Sequence, residues 1–140
     1  MAKEIFLVLL VDDSDDDRLF VRRALCKNRK FVVVGELCDG EAAIAYLAGE
    51  GEFSNREKFP FPDVIMLDLK MPKKTGHEVL EWLQAHRLGK LHTVVLSGSD
   101  LPEDITRSRN LGADAYFKKE ALEEEQQAMI AEMEKLLSKQ

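Results

Sequence analysis

Apolar residues along this chain gather into short runs separated by polar breaks. Ile5–Val11 (IFLVLLV) is continuous, too short for a helix core, and reads as a strand buried on both faces. The acidic stretch DDSDDD (12–17) ends it, and Leu19, Phe20, Val21, Ala24 and Leu25 follow at helical spacing. This predicts a helix from near Asp15 to near Asn28, with a first turn whose acidic residues suit the helix dipole. Phe31–Leu37 is β-branched and predicts a second strand, Asp39-Gly40 a turn, and Glu41–Leu47 a short helix ending at Gly49. Residues 49–62 carry little pattern and fit either a long connection or a frayed helix end. Val64–Leu69 predicts a third buried strand. Thr75-Gly-His-Glu78 is a capping-box pattern, and Val79, Leu80, Trp82 and Leu83 continue it as a helix. Leu91–Ser97 predicts a fourth strand, Asp100–Asn110 a polar helix with Asp100 as N-cap, and Ala115–Lys118 a fifth strand. A final amphipathic helix over Leu122–Leu137 places Leu122, Met129, Ile130, Met133, Leu136 and Leu137 on one side.

Strand and helix alternate five times without an internal repeat. Such alternation implies an α/β domain with a parallel sheet covered by helices on both faces. The 140 residues suit one domain, 1–140, with no output module. The apolar run at 5–11 is far below the roughly 20 residues that span a bilayer, so neither a membrane segment nor a signal peptide is expected. The net charge of −6 disfavours direct nucleic-acid binding, which needs a cationic footprint. Cys26 and Cys38 lack metal-type spacing and read as reduced, partly buried thiols of a cytoplasmic protein. His77, His86 and His92 show no ligand pattern either, and read as surface or hydrogen-bonded histidines.

In open parallel sheets, ligands bind beyond the carboxyl ends of the strands. The first strand ends in Asp12 and Asp13, the third in Asp68, the fourth in Ser97-Gly98-Ser99, and the fifth in Lys118-Lys119. Each alone has an ordinary explanation: a loop aspartate, a capping pair, a strand-end hydroxyl, surface lysines. Together they put three carboxylates, a hydroxyl and an ammonium at one sheet edge. Clustered carboxylates need a cation, and an all-oxygen site with several waters favours Mg²⁺. With a lysine alongside, the arrangement suits phosphoryl transfer, the carboxylate acting as nucleophile. Ser97 would donate to a phosphoryl oxygen, and Gly98 would leave room for the group to enter. The apolar strand ahead of Asp68 would anchor it while the sheet edge exposes its carboxylate.

The stretches LLVDD (9–13), DVIMLDLKMP (63–72), TG (75–76), VVLSGS (94–99) and GADAYFKK (112–119) carry a family resemblance. The chain resembles the receiver domain of two-component response regulators over nearly its full length. The resemblance implies a (βα)5 flavodoxin-like three-layer sandwich with strand order 2-1-3-4-5. It implies that Asp68 accepts a phosphoryl group from a kinase phosphohistidine. Asp13 then resembles the direct Mg²⁺ ligand, Asp12 the carboxylate holding the metal through water, and the Lys70 carbonyl a further ligand; Mn²⁺ is able to substitute. Ser97 matches the switch hydroxyl, Lys119 the lysine that pairs with phosphoryl oxygens, and Tyr116 the aromatic that changes rotamer on activation. Three departures stand out. Glu120 follows Lys119 where proline is usual, Thr75 stands where aspartate is common, and Lys70 adds a charge expected to alter the phosphoryl lifetime. Ser99 is a further modulating position.

The implied protein is not an enzyme beyond catalysing its own phosphorylation and dephosphorylation. It would be a stand-alone regulator whose binding face, built from the fourth helix, fifth strand and fifth helix, changes on phosphorylation. That face could pair two copies. Its phosphodonor would be a sensor histidine kinase or a histidine phosphotransfer protein. The DSDDDR segment and the long connection before the third strand resemble regulators associated with bacteriophytochromes. The alternatives are a pseudo-receiver that is never phosphorylated, and a phosphorelay shuttle or phosphate sink. A phosphatase of the haloacid dehalogenase type would need a second aspartate where Lys70 stands. A flavodoxin-like cofactor binder would need a phosphate loop where DDSDDD stands.

Overall fold

A computed structural model describes residues 5–119 and 123–138. Five parallel strands, β1 (Phe6–Val11), β2 (Phe31–Leu37), β3 (Val64–Leu67), β4 (His92–Ser97) and β5 (Ala115–Lys118), form one sheet in the order β2-β1-β3-β4-β5. Helices α1 (Asp15–Cys26), α2 (Gly40–Ala48), α3 (Gly76–His86), α4 (Pro102–Asn110) and α5 (Glu123–Ser138) connect and cover it. Strand order reverses between β1 and β3, and the crevice beyond their carboxyl ends is where this architecture places a ligand.

Alternation along the central strands divides the core. Phe6, Val8, Leu10, Val64, Met66, Val94 and Leu96 face α1 and α5, where Val21, Ala24, Leu25, Met129, Ile130, Met133 and Leu137 bury them. Leu9, Val11, Ile65, Leu67 and Val95 face α2 and α3, against Ala43, Tyr46, Leu47, Val79 and Leu80. Burial on both faces is why these strands read as uninterrupted apolar runs. No helix among the described residues is long and apolar enough to cross a membrane.

Local chemistry sets the element ends. Ser14 caps α1, Asp39 caps α2 by accepting from the Ala42 amide at 2.7 Å, and Thr75 and Glu78 form the predicted reciprocal box on α3. Residues 49–62 form a connection rather than a frayed helix end. Gly49 closes α2 at φ 70°, a short 3-10 turn covers Gly51–Ser54, and Arg56 donates to the carbonyls of Tyr46 and Leu47 at 2.9 and 3.0 Å. Phe53 and Phe59 then pack on the fully buried Tyr46 ring, whose hydroxyl donates to the Pro60 carbonyl at 2.8 Å.

Two expectations are corrected. Asp100 does not cap α4. Pro102 takes the first helical position, where a missing N–H is harmless, so Leu101 becomes the cap, and the Asp100 carboxylate lies 3.5 Å from Lys118. Cys26 and Cys38 are exposed free thiols rather than partly buried ones, because Cys26 is the last residue of α1 and Cys38 stands just past the end of β2. His77 takes the hydrogen-bonded alternative, buried with Nε2 3.1 Å from the Ser108 hydroxyl. The expectations for Glu120 and Leu122 lie outside the described residues.

Candidate functional site

The parallel ladder delivers the charged residues to one edge. Asp12 leaves β1 with its amide bonded to the Leu37 carbonyl, and Asp68 leaves β3 with its amide bonded to the Val11 carbonyl, both at 3.0 Å. Their side chains therefore start from neighbouring strand ends. Asp12 Oδ1 accepts from the Ser14 amide at 2.9 Å, and Asp68 Oδ1 from the Leu69 amide at 2.8 Å. Asp13 is exposed. Carboxylate oxygens of Asp12, Asp13 and Asp68 lie within 4.8 Å of one another.

Lys119 reaches this cluster from the end of β5. Its amide donates to the Ser97 carbonyl at 2.8 Å, which fixes the start of the side chain. Its Nζ lies 2.8 Å from Asp12 Oδ2, 2.8 Å from Asp17 Oδ2 and 3.2 Å from Asp68 Oδ2. Burial pulls the Lys119 ammonium toward losing its proton. Hydrogen bonds to Asp12 and Asp17, together with the charges of Asp68 and Asp12, outweigh that and hold its pKa above the ordinary lysine value. For Asp68 the balance runs the other way. Burial pushes its carboxyl up, Lys119 pulls it down, Asp12 pushes it up again, and the net is a raised pKa.

Asp68 is 6% exposed, so the expected open carboxylate is in fact covered. The cause is electrostatic: three carboxylates draw the Lys119 ammonium across it. Ser97, at the end of β4, is also buried, with its hydroxyl accepting from the Ser99 amide at 3.2 Å. The Tyr116 hydroxyl donates to the Ser99 carbonyl at 2.7 Å, tying β5 to the loop before α4. Lys70 and Gly98 are exposed, and a Cβ at position 98 would meet nothing within 4 Å.

Three contributors escaped sequence reasoning. Asp17 was counted only as a favourable charge for the helix dipole, yet its position in the first turn of α1 carries it to Lys119. Gly76 opens α3 directly over the loop after Asp68. A Cβ there would lie 2.3 Å from the Asp68 carbonyl oxygen, and the Gly76 amide donates to the Leu69 carbonyl at 2.9 Å. Gly40 clamps the same loop from α2, where a Cβ would lie 2.2 Å from the Lys74 carbonyl oxygen.

The donor set fits a hard divalent cation: three carboxylates, all oxygen, one of them open to water. A buried carboxylate, oxygens that could hold a cation and an ammonium within one crevice form an arrangement suited to receiving a phosphoryl group.

Comparison with known proteins shows the family. Residues 8–139 match the family model described as the response regulator receiver domain. Response regulator Rcp1 of Synechocystis sp. is 38% identical over 114 residues, 81% of this chain and 76% of Rcp1. The crystal structure of the phosphorylated cyanobacterial phytochrome response regulator RcpA superposes with a TM-score of 0.82 at 33% identity, covering 95% of this chain and 94% of RcpA. The Mn²⁺-bound form of Rcp1 gives a TM-score of 0.78 at 31% identity, over 96% and 95% of the two chains.

Proposed function

Because this chain belongs to the response regulator receiver domain family, we propose that Asp68 is its phosphoacceptor, serving a signalling role rather than metabolic catalysis. The observation that carries this reading is the convergence of Asp12, Asp13 and Lys119 on the Asp68 carboxylate. An Asp68 oxygen forms the bond to phosphorus as the P–N bond of a kinase phosphohistidine breaks and its electron pair stays with the imidazole. Asp12, Asp13, Asp68 and the Lys70 carbonyl would hold Mg²⁺, which supplies charge neutralisation for the phosphoryl oxygens. Lys119 supplies a second positive charge, and Ser97 a hydroxyl, beside the same group.

Phosphorylation then shifts a population. Ser97 moves toward the phosphoryl group, and Tyr116, already bonded to the Ser99 carbonyl, couples that loop to the face of α4, β5 and α5. The similarity to Rcp1 and RcpA supports a stand-alone receiver and a phytochrome-type sensor histidine kinase as phosphodonor. Lys70 and Ser99 flank the site and would tune the lifetime of the phosphoryl group; a Lys70→Asn variant with an unchanged dephosphorylation rate removes Lys70 from that role.

The test is incubation with acetyl phosphate, with and without Mg²⁺, followed by intact mass measurement beside Asp68→Asn. A Mg²⁺-dependent gain of one phosphoryl group, absent in the variant, is expected. No gain by a folded protein would overturn the reading in favour of a pseudo-receiver.

A further inference from the structure

Lys119 and a divalent cation compete for the same oxygens. The ammonium bonds Asp12 Oδ2 and Asp68 Oδ2, and both residues belong to the trio that could hold a metal. An ion entering the site would strip Lys119 of two of its three acceptors and face its charge at close range. Asp17 is the acceptor that remains. It stands outside the trio, yet its Oδ2 is 2.8 Å from Nζ.

Local structure holds Asp17 ready. Its amide donates to the Ser14 hydroxyl at 3.2 Å in the α1 cap, which fixes where its side chain begins. The adjacent cation, Arg18, is engaged elsewhere, with the Asp12 carbonyl oxygen, Asp15 and Glu36. Asp16, one residue before, is exposed and carries the same charge on the same helical turn.

We propose that Asp17 is a positioning residue which retains the Lys119 ammonium at the edge of the site when a divalent cation takes Asp12 and Asp68, so that cation and ammonium are held there together. Without Asp17, Lys119 keeps its grip on Asp12 and Asp68 and opposes the ion. The proposal rests on the reading of this edge as a metal-assisted phosphoacceptor site. It adds that the first turn of α1 sets how readily the metal loads.

The test is a double-mutant cycle read in Mg²⁺ affinity by calorimetry, repeated with Mn²⁺ by magnetic resonance of the free ion. The proteins are wild type, Asp17→Asn, Lys119→Gln and the double variant, with Asp16→Asn as a charge-matched control. Asp17→Asn is expected to weaken Mg²⁺ binding roughly three- to tenfold, a size typical of coupled neighbours. Asp16→Asn should change it less than about twofold, as expected of a screened surface charge. In the Lys119→Gln background the effect of Asp17→Asn should vanish. Asp17→Glu, which keeps the carboxylate, should restore most of the affinity. An equal loss with and without Lys119 would overturn the proposal, since Asp17 would then act by its field alone. So would an unchanged affinity in Asp17→Asn. A wild-type protein that binds neither ion would overturn the phosphoacceptor reading itself, and this proposal with it.

Discussion

Two glycines flank the candidate phosphoacceptor, and only one is confined. A methyl group at Gly76 would sit 2.3 Å from the Asp68 carbonyl oxygen, 2.7 Å from the Leu69 Cα and 3.0 Å from the Asp68 carbonyl carbon. Ordinary carbon–oxygen contact lies at about 3.3 Å, so the two backbones would have to separate by about 1 Å. All three of these atoms are backbone, and no rotamer change offers relief. Separation strains the Gly76 amide bond to the Leu69 carbonyl, worth about 1 kcal/mol, on top of overpacking at about 1–3 kcal/mol. Gly76→Ala is therefore expected to destabilise by about 2–4 kcal/mol, or roughly 6–12 °C in melting temperature for a domain of this size. A 1 Å displacement of the reacting carboxylate should also slow phosphorylation by acetyl phosphate on the order of 100-fold. Gly98→Ala is the contrast. Position 98 has open space and no left-handed φ, so its stability should stay within about 0.5 kcal/mol of wild type. Thermal unfolding by circular dichroism and intact mass against time would measure both variants. A Gly76→Ala protein that melts and phosphorylates like wild type would refute the claim that α3 seats Asp68 through a glycine contact.

Further outcomes follow from the same geometry. The raised Asp68 pKa means the native state holds that proton more tightly than the unfolded chain, so the ionised carboxylate destabilises the fold as pH rises through its native pKa. Asp68→Asn should melt higher than wild type at pH 7 without metal, with the gain gone below the unfolded value of about 3.9; a lower melting point at pH 7 would contradict this. Mg²⁺ at a hundredfold excess over its Kd should stabilise wild type by about 2.7 kcal/mol, and Asp13→Asn should lose most of that shift; equal shifts in both would remove Asp13 from the site. Ser108→Ala leaves buried His77 Nε2 without its hydroxyl partner and should cost about 1–3 kcal/mol in urea unfolding, with no change implying that water replaces the hydroxyl.

What could be read from sequence follows from how each feature is encoded. The strands were legible because burial on two faces leaves apolar runs with sharp edges, and β2 and β5 appear with the expected bounds. Their carboxyl ends were legible for the same reason, which put Asp12, Asp13, Asp68, Ser97 and Lys119 together. Features that depend on one side chain meeting another far along the chain were not. Arg56 capping the carbonyl end of α2 leaves no periodic trace, so residues 49–62 read as loose. Asp100 looked like a cap until the competing geometry of Pro102 is weighed. Asp17 looked like one charge among five because its partner lies 102 residues away.

The covering of Asp68 belongs to this second class, and it changes how the site works. A carboxylate that is 6% exposed beneath an ammonium is shielded from a phosphodonor while Lys119 holds it. The acidic stretch at the end of β1 would repel a phosphoryl dianion as well. A divalent cation held by Asp12, Asp13 and Asp68 would offset both effects, since it would neutralise those carboxylates and compete with Lys119 for Asp12 and Asp68. Metal loading and access to Asp68 would then be one event rather than two. Asp17 would matter to that event because it would determine whether the ammonium releases Asp12 and Asp68 to the ion, staying within reach of the incoming phosphoryl oxygens, or keeps its grip and opposes the ion.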